Sequence, residues 1–304
     1  MVKIFLITLV CALPAMAAPP RAVALTFDDL PDIAADEHSM DQTEVVMRSL
    51  IVHLRDAHAP AIGFVNEDKL DDPRGTALLA EWLDAGFDLG NHTYAHVDLN
   101  QTTVADYEND ILRGETVTRP LCAARQKALH WFRHPYLDTG KTLADRDAVD
   151  QFLADHGYAV APVTIDNSEW IFAMAYEKAA SRLVRFRLRR AYVRYMASRF
   201  AWYEARAHTV FGREIKQIVL LHADTLNADA LPSLLHMIRR RGYRFISIDE
   251  AMTDRAYESG DRWTGGGVSW IERWGVTRGM RESLFDGDPS VPRWVQTLAG
   301  ARDE

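Results

Sequence analysis

Short apolar runs alternate with helical patterns along most of the chain, and this alternation constrains the fold more than any other feature. The strand-like runs cover residues 21–27, 61–65, 87–90, 128–132, 159–165, 218–221 and 245–248. Most are separated by amphipathic helical segments, including residues 40–57, 78–85, 144–155 and 231–241. This order predicts parallel strands with crossover helices, in an open doubly wound sheet or a closed barrel. We favour the barrel, because no Gly-x-Gly-x-x-Gly or Walker-type loop follows the first strand.

The composition is that of a globular protein with enough apolar material for a large core. Of 304 residues, 48% are hydrophobic and 26% are charged. Lys and Arg number 35 against 43 Asp and Glu, which gives a formal net charge of −8. An acidic balance argues against a chain whose overall field attracts nucleic acid or an anionic membrane. We therefore expect no nucleic-acid partner.

The first residues have the pattern of a secretory leader. Lys3 precedes an apolar run at residues 4–13, and the small-x-small sequence Ala15-Met16-Ala17 follows it. The run is shorter than the about 20 apolar residues that cross a bilayer. We predict a signal peptide at residues 1–17, export to the periplasm or beyond it, and no membrane span in the mature chain. Cleavage would remove Cys11 and leave Cys122 alone, which we interpret as a structural or surface thiol, with a nucleophile as the alternative.

Two segments depart from the alternation. Residues 171–208 contain no turn signal and carry eight arginines among Leu, Tyr, Phe and Trp, which predicts one or two amphipathic helices inserted between strands 5 and 6. We interpret the arginines as a solvated face, with docking onto an anionic glycan or a partner as the alternative. Residues 253–304 are rich in Trp, Gly and Arg without clear periodicity, and we expect this C-terminal extension to cover one face of the domain.

Polar side chains cluster in sequence directly after five of the predicted strands. These are Asp28, Asp29, His92, His96, Arg133, His134, Pro135, Tyr136, Asp166, Glu169, His222 and Asp224, with their neighbours. In a parallel α/β fold the carboxyl ends of the strands share one edge, where active sites are built. Five separate loops are therefore expected to converge on one pocket.

His92 and His96 are the candidate metal ligands. They are four residues apart, a spacing that brings two imidazoles to one side of a helical turn, and imidazole is a common zinc ligand. Asp28 or Asp29 could complete a two-histidine, one-carboxylate site, which leaves positions open for water and substrate. The alternative is a pair of surface or capping histidines.

The acids at the first strand end suggest a division of labour. One carboxylate would bind the metal while its neighbour takes a proton from a water. Arg133 is the candidate counter-ion for this acid pair, with a surface salt bridge as the alternative. His222 could act as a general acid if Glu169 or Asp166 holds its second ring nitrogen; otherwise it is a core histidine with satisfied hydrogen bonds.

Taken in order, these residues resemble the motifs of one family. The motifs are Thr26-Phe27-Asp28-Asp29, His92-Thr93-Tyr94-Ala95-His96, Arg133-His134-Pro135-Tyr136, Asp166 with Glu169-Trp170, and Leu220-Leu221-His222. The set is similar to the polysaccharide deacetylases, the NodB homology domain of carbohydrate esterase family 4. The similarity runs over residues 21–252, which we take as the predicted domain, with the insert 171–208 inside it.

The resemblance implies a distorted (β/α)7-type barrel that removes acetyl groups from sugars with a divalent metal, usually Zn²⁺. It implies the following roles: Asp28 as general base, Asp29, His92 and His96 as metal ligands, Arg133 holding Asp28, the Tyr136 N–H binding the oxyanion, His222 as general acid, and Trp170 and Leu220 lining the acetyl pocket. Glu169 stands where the family usually has an Asp that orients the acid. Either Glu169 or Asp166 could take that task.

Two departures from the family pattern concern the pocket mouth. Leu30 replaces the usual Gly after the acid pair, and the insert separates motifs that are normally closer together. Both are expected to reshape the mouth and so to affect the substrate more than the reaction.

The expected function is removal of acetyl groups from N-acetylated sugars of a poly- or oligosaccharide of the peptidoglycan or chitin type. Two alternatives use the same residues differently. The first is an O-acetyl esterase or a small-substrate amidase. The second is a catalytically inactive periplasmic glycan-binding protein, although a binder has no need of Asp28 and His222 together.

Overall fold

The computed structural model describes residues 21–280 and 282–302, and the predicted signal peptide at residues 1–17 lies outside the described residues. The strands are β1 (Arg21–Leu30), β2 (Ala61–Val65), β3 (Asp88–Asn91), β4 (Trp131–Phe132), β5 (Ala159–Val160), β6 (Gln217–His222) and β7 (Tyr243–Ile246). The helices are α1 (Met40–Asp56), α2 (Pro73–Asp84), α3 (Val104–Arg113), α4 (Thr118–Ala123), α5 (Leu143–Asp155), α6 (Glu169–Glu177), α7 (Arg182–Phe211), α8 (Thr225–Arg240), α9 (Ile248–Met252), α10 (Trp270–Thr277) and α11 (Arg293–Ala299). Short 3₁₀ turns occur at Glu67–Lys69, Pro135–Leu137, Arg255–Glu258 and Glu282–Phe285.

All strand pairs are parallel, and β1 lies at the centre. The order is β5-β4-β3-β2-β1-β6, with β7 also paired to β1. The two ends of this series meet, because Ile165 bridges Val219 in β6 and the chain just after β5 thereby closes the ring. The structure is an α/β fold with parallel strands and outer helices, which confirms the predicted distorted barrel.

Residue alternation in β1 explains how the barrel carries a site at one end. Ala22 and Ala24 belong to a small apolar cluster with Ile62, Phe64, Ile218 and Ile246 inside the barrel, whereas Val23, Leu25 and Phe27 belong to the outer core beneath the helices. Side chains two apart in a strand share a face. Thr26 and Asp28 therefore continue the inner face towards the carboxyl edge, where polar chemistry replaces apolar packing.

The predicted strands all occur, but two are shorter than their apolar runs. β4 and β5 have two residues each, where the apolar runs cover 128–132 and 159–165. The reason lies in barrel closure. Ala161 still donates its N–H to Phe132, but Ile165 donates to Ile218 in β6, so the chain crosses from one neighbour to the other between them.

The insert between strands 5 and 6 forms two helices, α6 and the 30-residue α7. The fully buried residues of α7 include Leu188, Tyr192, Met196 and Phe200, which recur every four residues and form its core-facing side. No helix in the described part of the chain is long and apolar enough to cross a bilayer.

The segment after α9 contacts both insert helices. α11 packs on α6 and α10 packs on α7. Within it, the Arg273 side chain is fully buried and its guanidinium donates to the carbonyl of Leu137 and to Thr139 Oγ1. The C-terminal segment thus reaches the loop that carries Tyr136.

Candidate metal centre and active site

Asp28 lies at the carboxyl end of β1 and is held by Arg133. Arg133 Nη1 is 3.2 Å from Asp28 Oδ2, Nη2 donates to Thr26 Oγ1 at 3.2 Å, and Nε donates to the Ala161 carbonyl at 2.8 Å. The guanidinium is fully buried and lies over the Phe64 ring, 4.6 Å from its centroid. Three fixed donors leave Arg133 no freedom to turn away, so the position of the Asp28 carboxylate is set by the barrel itself.

His92 and His96 come together through an irregular loop, and the expectation of a helical turn is wrong. Thr93 and His96 both have left-handed backbone, with φ of 64° and 51°. Asn91 Oδ1 accepts the Thr93 N–H, while the α3 residue Asp110 accepts the N–H groups of Tyr94 and Ala95. These hydrogen bonds offset the conformational cost of the two left-handed residues. Asn91 and α3 therefore hold the loop in a shape that is not helical.

Asp29, His92 and His96 form a cluster with the geometry of a metal-binding set. One ligand atom from each lies within 4.8 Å of the others. The His92 Nδ1 is 2.8 Å from the Arg133 carbonyl, which makes Nδ1 the protonated nitrogen and leaves Nε2 with its lone pair facing the cluster. Two imidazoles and one carboxylate suit a catalytic zinc-type site with open positions. The residues present therefore fit a divalent metal.

Lys69 shares the carboxylate of this cluster. Its Nζ is 3.2 Å from Asp29 Oδ1, and the same oxygen is 3.7 Å from His96 Nε2. Burial favours the neutral form of Asp29, but the charges of Lys69 and the nearby histidines hold its pKa well below the ordinary value. A cationic side chain thus already contacts the one carboxylate of the cluster.

The pKa values of the neighbouring acids Asp28 and Asp29 are shifted in opposite directions. Burial raises the pKa of Asp28 to about 6, even though the Arg133 charge opposes the rise. Asp29 stays ionised at any physiological pH for the reason given above. One carboxylate is therefore a permanent anion for a cation to bind, while its neighbour is suited to exchange a proton near neutrality.

His222 lies beside Asp28 and is oriented by Glu169. Asp28 and His222 are register partners in the β1–β6 pair. His222 Nδ1 is 2.7 Å from Glu169 Oε2, and the other oxygen of Glu169 accepts from Asn227 Nδ2 at 2.6 Å. Burial raises the pKa of Glu169 to about 7, against the lowering effect of its hydrogen bonds to Asp224 and Asn227.

Asp166, the alternative partner for His222, faces elsewhere. Its Oδ1 accepts the N–H of Asn167 at 2.7 Å, and burial raises its pKa while the charge of Arg199 in α7 opposes the rise. The structure thus brings Glu169, not Asp166, to the candidate acid. The extra methylene of Glu169 is accommodated because this residue begins α6 and reaches back to His222 from the helix end.

Tyr136 lies on the other side of the cluster. Its backbone is left-handed, with φ of 57°, and its ring packs edge-on against His96 at 4.5 Å between centroids. The N–H of Tyr136 donates to no acceptor in the described part of the chain, whereas the next two N–H groups are bonded within their turn. An N–H without an acceptor, next to residues that could hold a metal, can stabilise a developing oxyanion.

Leu220 and Trp170 are close in sequence to the two residues of the His222–Glu169 pair. Leu220 is two residues before His222 in β6 and therefore shares its face of the strand, and it is buried. Trp170 follows Glu169 at the start of α6 and is half-buried against the outer core. Their role in an acetyl pocket stays a prediction.

Leu30 does not lie at the pocket mouth, contrary to expectation. Its side chain is fully buried, and a Cβ built on Gly63 would lie 2.2 Å from Leu30 Cδ2. Gly63 of β2 therefore provides the space that Leu30 needs. The leucine that replaces the usual glycine is therefore accommodated by packing between β1 and β2.

Residues 15–161 match the model of one protein family, described as polysaccharide deacetylase. The matched region contains Asp28, Arg133 and the three residues of the cluster. Residues 15–161 belong to the polysaccharide deacetylase family. No curated protein matches the chain in sequence.

Solved structures with the same fold come from carbohydrate esterase family 4. A family 4 carbohydrate esterase from Streptomyces lividans, in complex with acetate, is 20% identical, with 77% of this chain and 97% of that chain covered and a TM-score of 0.50. The peptidoglycan deacetylase PdaC from Bacillus subtilis is 17% identical over 76% and 90%, with a TM-score of 0.50. A family 4 pseudoenzyme from Bacillus anthracis is 16% identical over 78% and 66%, also with a TM-score of 0.50. At these identities the similarity concerns the fold of the deacetylase domain.

Three contacts of this candidate site were not predicted from the sequence. They are Lys69 on Asp29, Asn227 on Glu169, and Thr26 on Arg133. Thr26 had a signal, since it is two residues before Asp28 on the same strand face. Lys69 had none, because it lies 40 positions away from Asp29 in a 3₁₀ turn after β2.

Proposed function

We propose that this polysaccharide deacetylase removes acetyl groups from N-acetylated sugars of a peptidoglycan- or chitin-type chain, with Zn²⁺ as its divalent metal. One observation carries the proposal. The base candidate Asp28 and the acid candidate His222 are register partners on adjacent strands, next to a cluster of one carboxylate and two imidazoles. An inactive glycan-binding protein would gain nothing from this arrangement.

Asp29, His92 and His96 would hold the metal, which when bound supplies Lewis acidity that lowers the pKa of water and polarises a carbonyl. Asp28 takes the proton of the attacking water, and its raised pKa makes it a competent base near neutral pH. Arg133 holds the Asp28 carboxylate in place through this transfer. Water oxygen then adds to the acetyl carbon.

The remaining residues handle the charge and the leaving group. The Tyr136 N–H donates to the oxygen that becomes negative when water adds. His222 gives a proton to the sugar nitrogen as the C–N bond breaks, which releases acetate and a free amine. Glu169 stabilises the histidine while it is positively charged and keeps its other nitrogen directed at the substrate.

The presence of an oriented acid favours amides over esters. An amine is a poor leaving group as the anion and must be protonated, whereas an alcohol leaves more readily. A buried glutamate that hydrogen-bonds both His222 and Asn227 therefore increases the rate of amide cleavage more than that of ester cleavage. We propose the amide as the natural substrate bond on this ground.

Acetate release from acetylated chito-oligosaccharides, peptidoglycan and acetylxylan tests the proposal, with zinc-loaded wild type, Asp28→Asn and His222→Ala run in parallel. We expect release from an amide substrate, with a loss on the order of 10²-fold or more in both variants. On acetylxylan, His222→Ala should lose less activity than Asp28→Asn. If metal-loaded wild type releases no acetate from any of the three, the deacetylase function is wrong.

A further inference from the structure

The first half of α7 carries a concentration of positive charge that the proposed reaction does not use. Residues 178–203 contain one lysine and seven arginines and no Asp or Glu, in a chain whose net charge is −8. The run begins before α7 and covers most of it. Such segregation requires an explanation, because the chain has acidic residues in excess elsewhere.

The exposed side chains of this region form one face. At 100° per residue, Arg182, Leu183, Phe186, Arg187, Arg190 and Arg194 fall within an arc of about 140° on α7. All six are exposed, Leu183 by 68% and Phe186 by 47%. We call these six residues the arginine patch. Trp294 of α11, 42% exposed, adjoins it, since the Arg187 guanidinium lies 5.7 Å from its ring.

The arginines of the patch lack acidic partners. None of its four arginines forms an ion pair with a carboxylate in residues 21–280 or 282–302. Arginines elsewhere on the surface commonly do, as Arg48 with Glu81 and Arg244 with Glu250. The patch therefore presents uncompensated charge together with exposed apolar side chains.

The patch lies towards the side of the barrel where the candidate active site is. α7 and α8 run in the same direction, because Tyr192 bonds Asn227 near the start of α8 and Glu204 bonds Arg241 just past its end. α8 starts directly after His222 at the carboxyl edge of β6. The first turns of α7 therefore lie at the active-site end of α8.

We propose that the arginine patch docks the protein onto an anionic phospholipid surface. Guanidinium groups interspersed with Leu, Phe and Trp are the composition of helices that lie in the headgroup region, where the charges meet phosphates and the apolar groups enter the acyl boundary. The patch is a convex helix face whose side chains offer hydrogen-bond donors and no acceptors. The hydroxyl groups of a sugar chain donate hydrogen bonds as well as accept them, and an all-donor convex face with exposed apolar side chains meets only the accepting half, so the composition favours lipid over glycan.

The acidic charge of the whole chain does not prevent this docking. At physiological salt the Debye length is about 8 Å, so a membrane in contact with the patch responds to the nearest charges rather than to the net charge. Docking is therefore expected in one orientation only, with the arginine patch towards the bilayer. This inference stands without the proposed deacetylase activity.

Sedimentation with lipid vesicles tests the proposal, using the chain from residue 18 onward, which keeps every described residue. The vesicles are equal parts phosphatidylcholine and phosphatidylglycerol, with pure phosphatidylcholine for comparison. We expect partitioning onto the anionic vesicles that weakens with added sodium chloride. The triple variant Arg187→Gln, Arg190→Gln, Arg194→Gln should reduce the partition coefficient on the order of 100-fold, from about fivefold per arginine.

A matched control removes the same charge elsewhere. The triple variant Arg240→Gln, Arg255→Gln, Arg262→Gln changes three exposed arginines outside the patch and should bind like wild type. The pair Leu183→Ser, Phe186→Ser should weaken the binding that persists at high salt. Circular dichroism confirms that each variant is folded.

Three results would overturn the proposal. The first is equal binding to neutral and anionic vesicles, and the second is an equal loss in the two triple variants. The third is binding of soluble polygalacturonate through the patch at least as strong as vesicle binding, which would identify an anionic glycan as the partner.

Discussion

Lys69 is the residue in the site that the family motifs do not account for. Its ammonium contacts the one carboxylate of the metal-type cluster, and its side chain is largely buried. A metal bound to Asp29, His92 and His96 must share that carboxylate with Lys69 or displace it. We therefore expect Lys69, which lies outside the cluster, to weaken the binding of a metal there.

Lys69→Met is expected to tighten zinc binding by about tenfold or more, because it removes a positive charge a few ångströms from the metal position. Isothermal titration of the metal-free protein with Zn²⁺ measures the effect. Lys141→Met, an exposed lysine away from the cluster, should leave the affinity unchanged. Weaker binding in Lys69→Met would instead show that Lys69 supports the ligand geometry.

Glu169→Gln should lower kcat on an amide substrate on the order of 10²-fold, because Gln keeps the shape of the side chain but cannot stabilise a charged His222. KM should change little, since Glu169 is fully buried. The comparison variant is Asp166→Asn in the same loop, whose carboxylate does not contact His222. A larger loss in Asp166→Asn than in Glu169→Gln would reverse the assignment of the orienting acid.

At the scale of elements, the C-terminal segment supports the Tyr136 loop from outside the barrel. A Cβ built on Gly267 would lie 1.8 Å from the Tyr136 carbonyl oxygen, so only glycine allows this approach. Arg273 then donates to Leu137 and Thr139 of the same loop. The backbone of the candidate oxyanion donor is thus held between the strand end and a segment more than 100 residues later.

Gly267→Ala should displace the Tyr136 loop and lower kcat by roughly tenfold to a hundredfold, as misplacement of a catalytic group by about 1 Å does. Initial rates on the amide substrate measure it, with thermal unfolding to show that the variant is folded. The neighbouring glycine supplies the control, because a Cβ on Gly266 meets nothing within 4 Å. Equal rates in both variants would mean that the segment does not position the loop.

At the scale of the whole molecule, several carboxyl groups are buried in a chain with an excess of acids. Burial raises the pKa of Asp28 to about 6 and of Glu169 to about 7. Burial and the nearby charges of Asp166 and Asp288 raise the pKa of Glu272 to about 8. Between the ordinary pKa and the raised one, the folded state binds more protons than the unfolded state. Stability from these groups is therefore lost as pH rises from about 5 to 8.

Glu272→Gln isolates one part of this pH dependence, because Glu272 is not one of the three cluster residues and caps α10 through Ser269. The variant should gain stability over wild type as pH rises from 5 to 8.5, on the order of 1 kcal/mol or more. Urea unfolding at both pH values measures the gain. Exposed Glu258→Gln is the control and should show no such change. A constant difference at the two pH values would contradict the raised pKa.

The sequence alone determined the barrel and the location of its site. Apolar periodicity is a local property, so it predicted seven parallel strands and placed Asp28, His92, Arg133 and His222 at one edge. The order of the short motifs along the chain was sufficient for the family resemblance, and residues 15–161 match the family's model.

Only the tertiary structure decided which groups touch. Glu169 rather than Asp166 contacts His222, and Lys69 forms an ion pair with Asp29. The Leu30 side chain packs into the space that Gly63 leaves. The His92–His96 loop is irregular because Asn91 and Asp110 accept its N–H groups. These contacts join positions from tens to more than a hundred residues apart, or depend on a left-handed backbone. Neither appears in a local pattern, because side-chain reach and packing are settled only when the barrel closes.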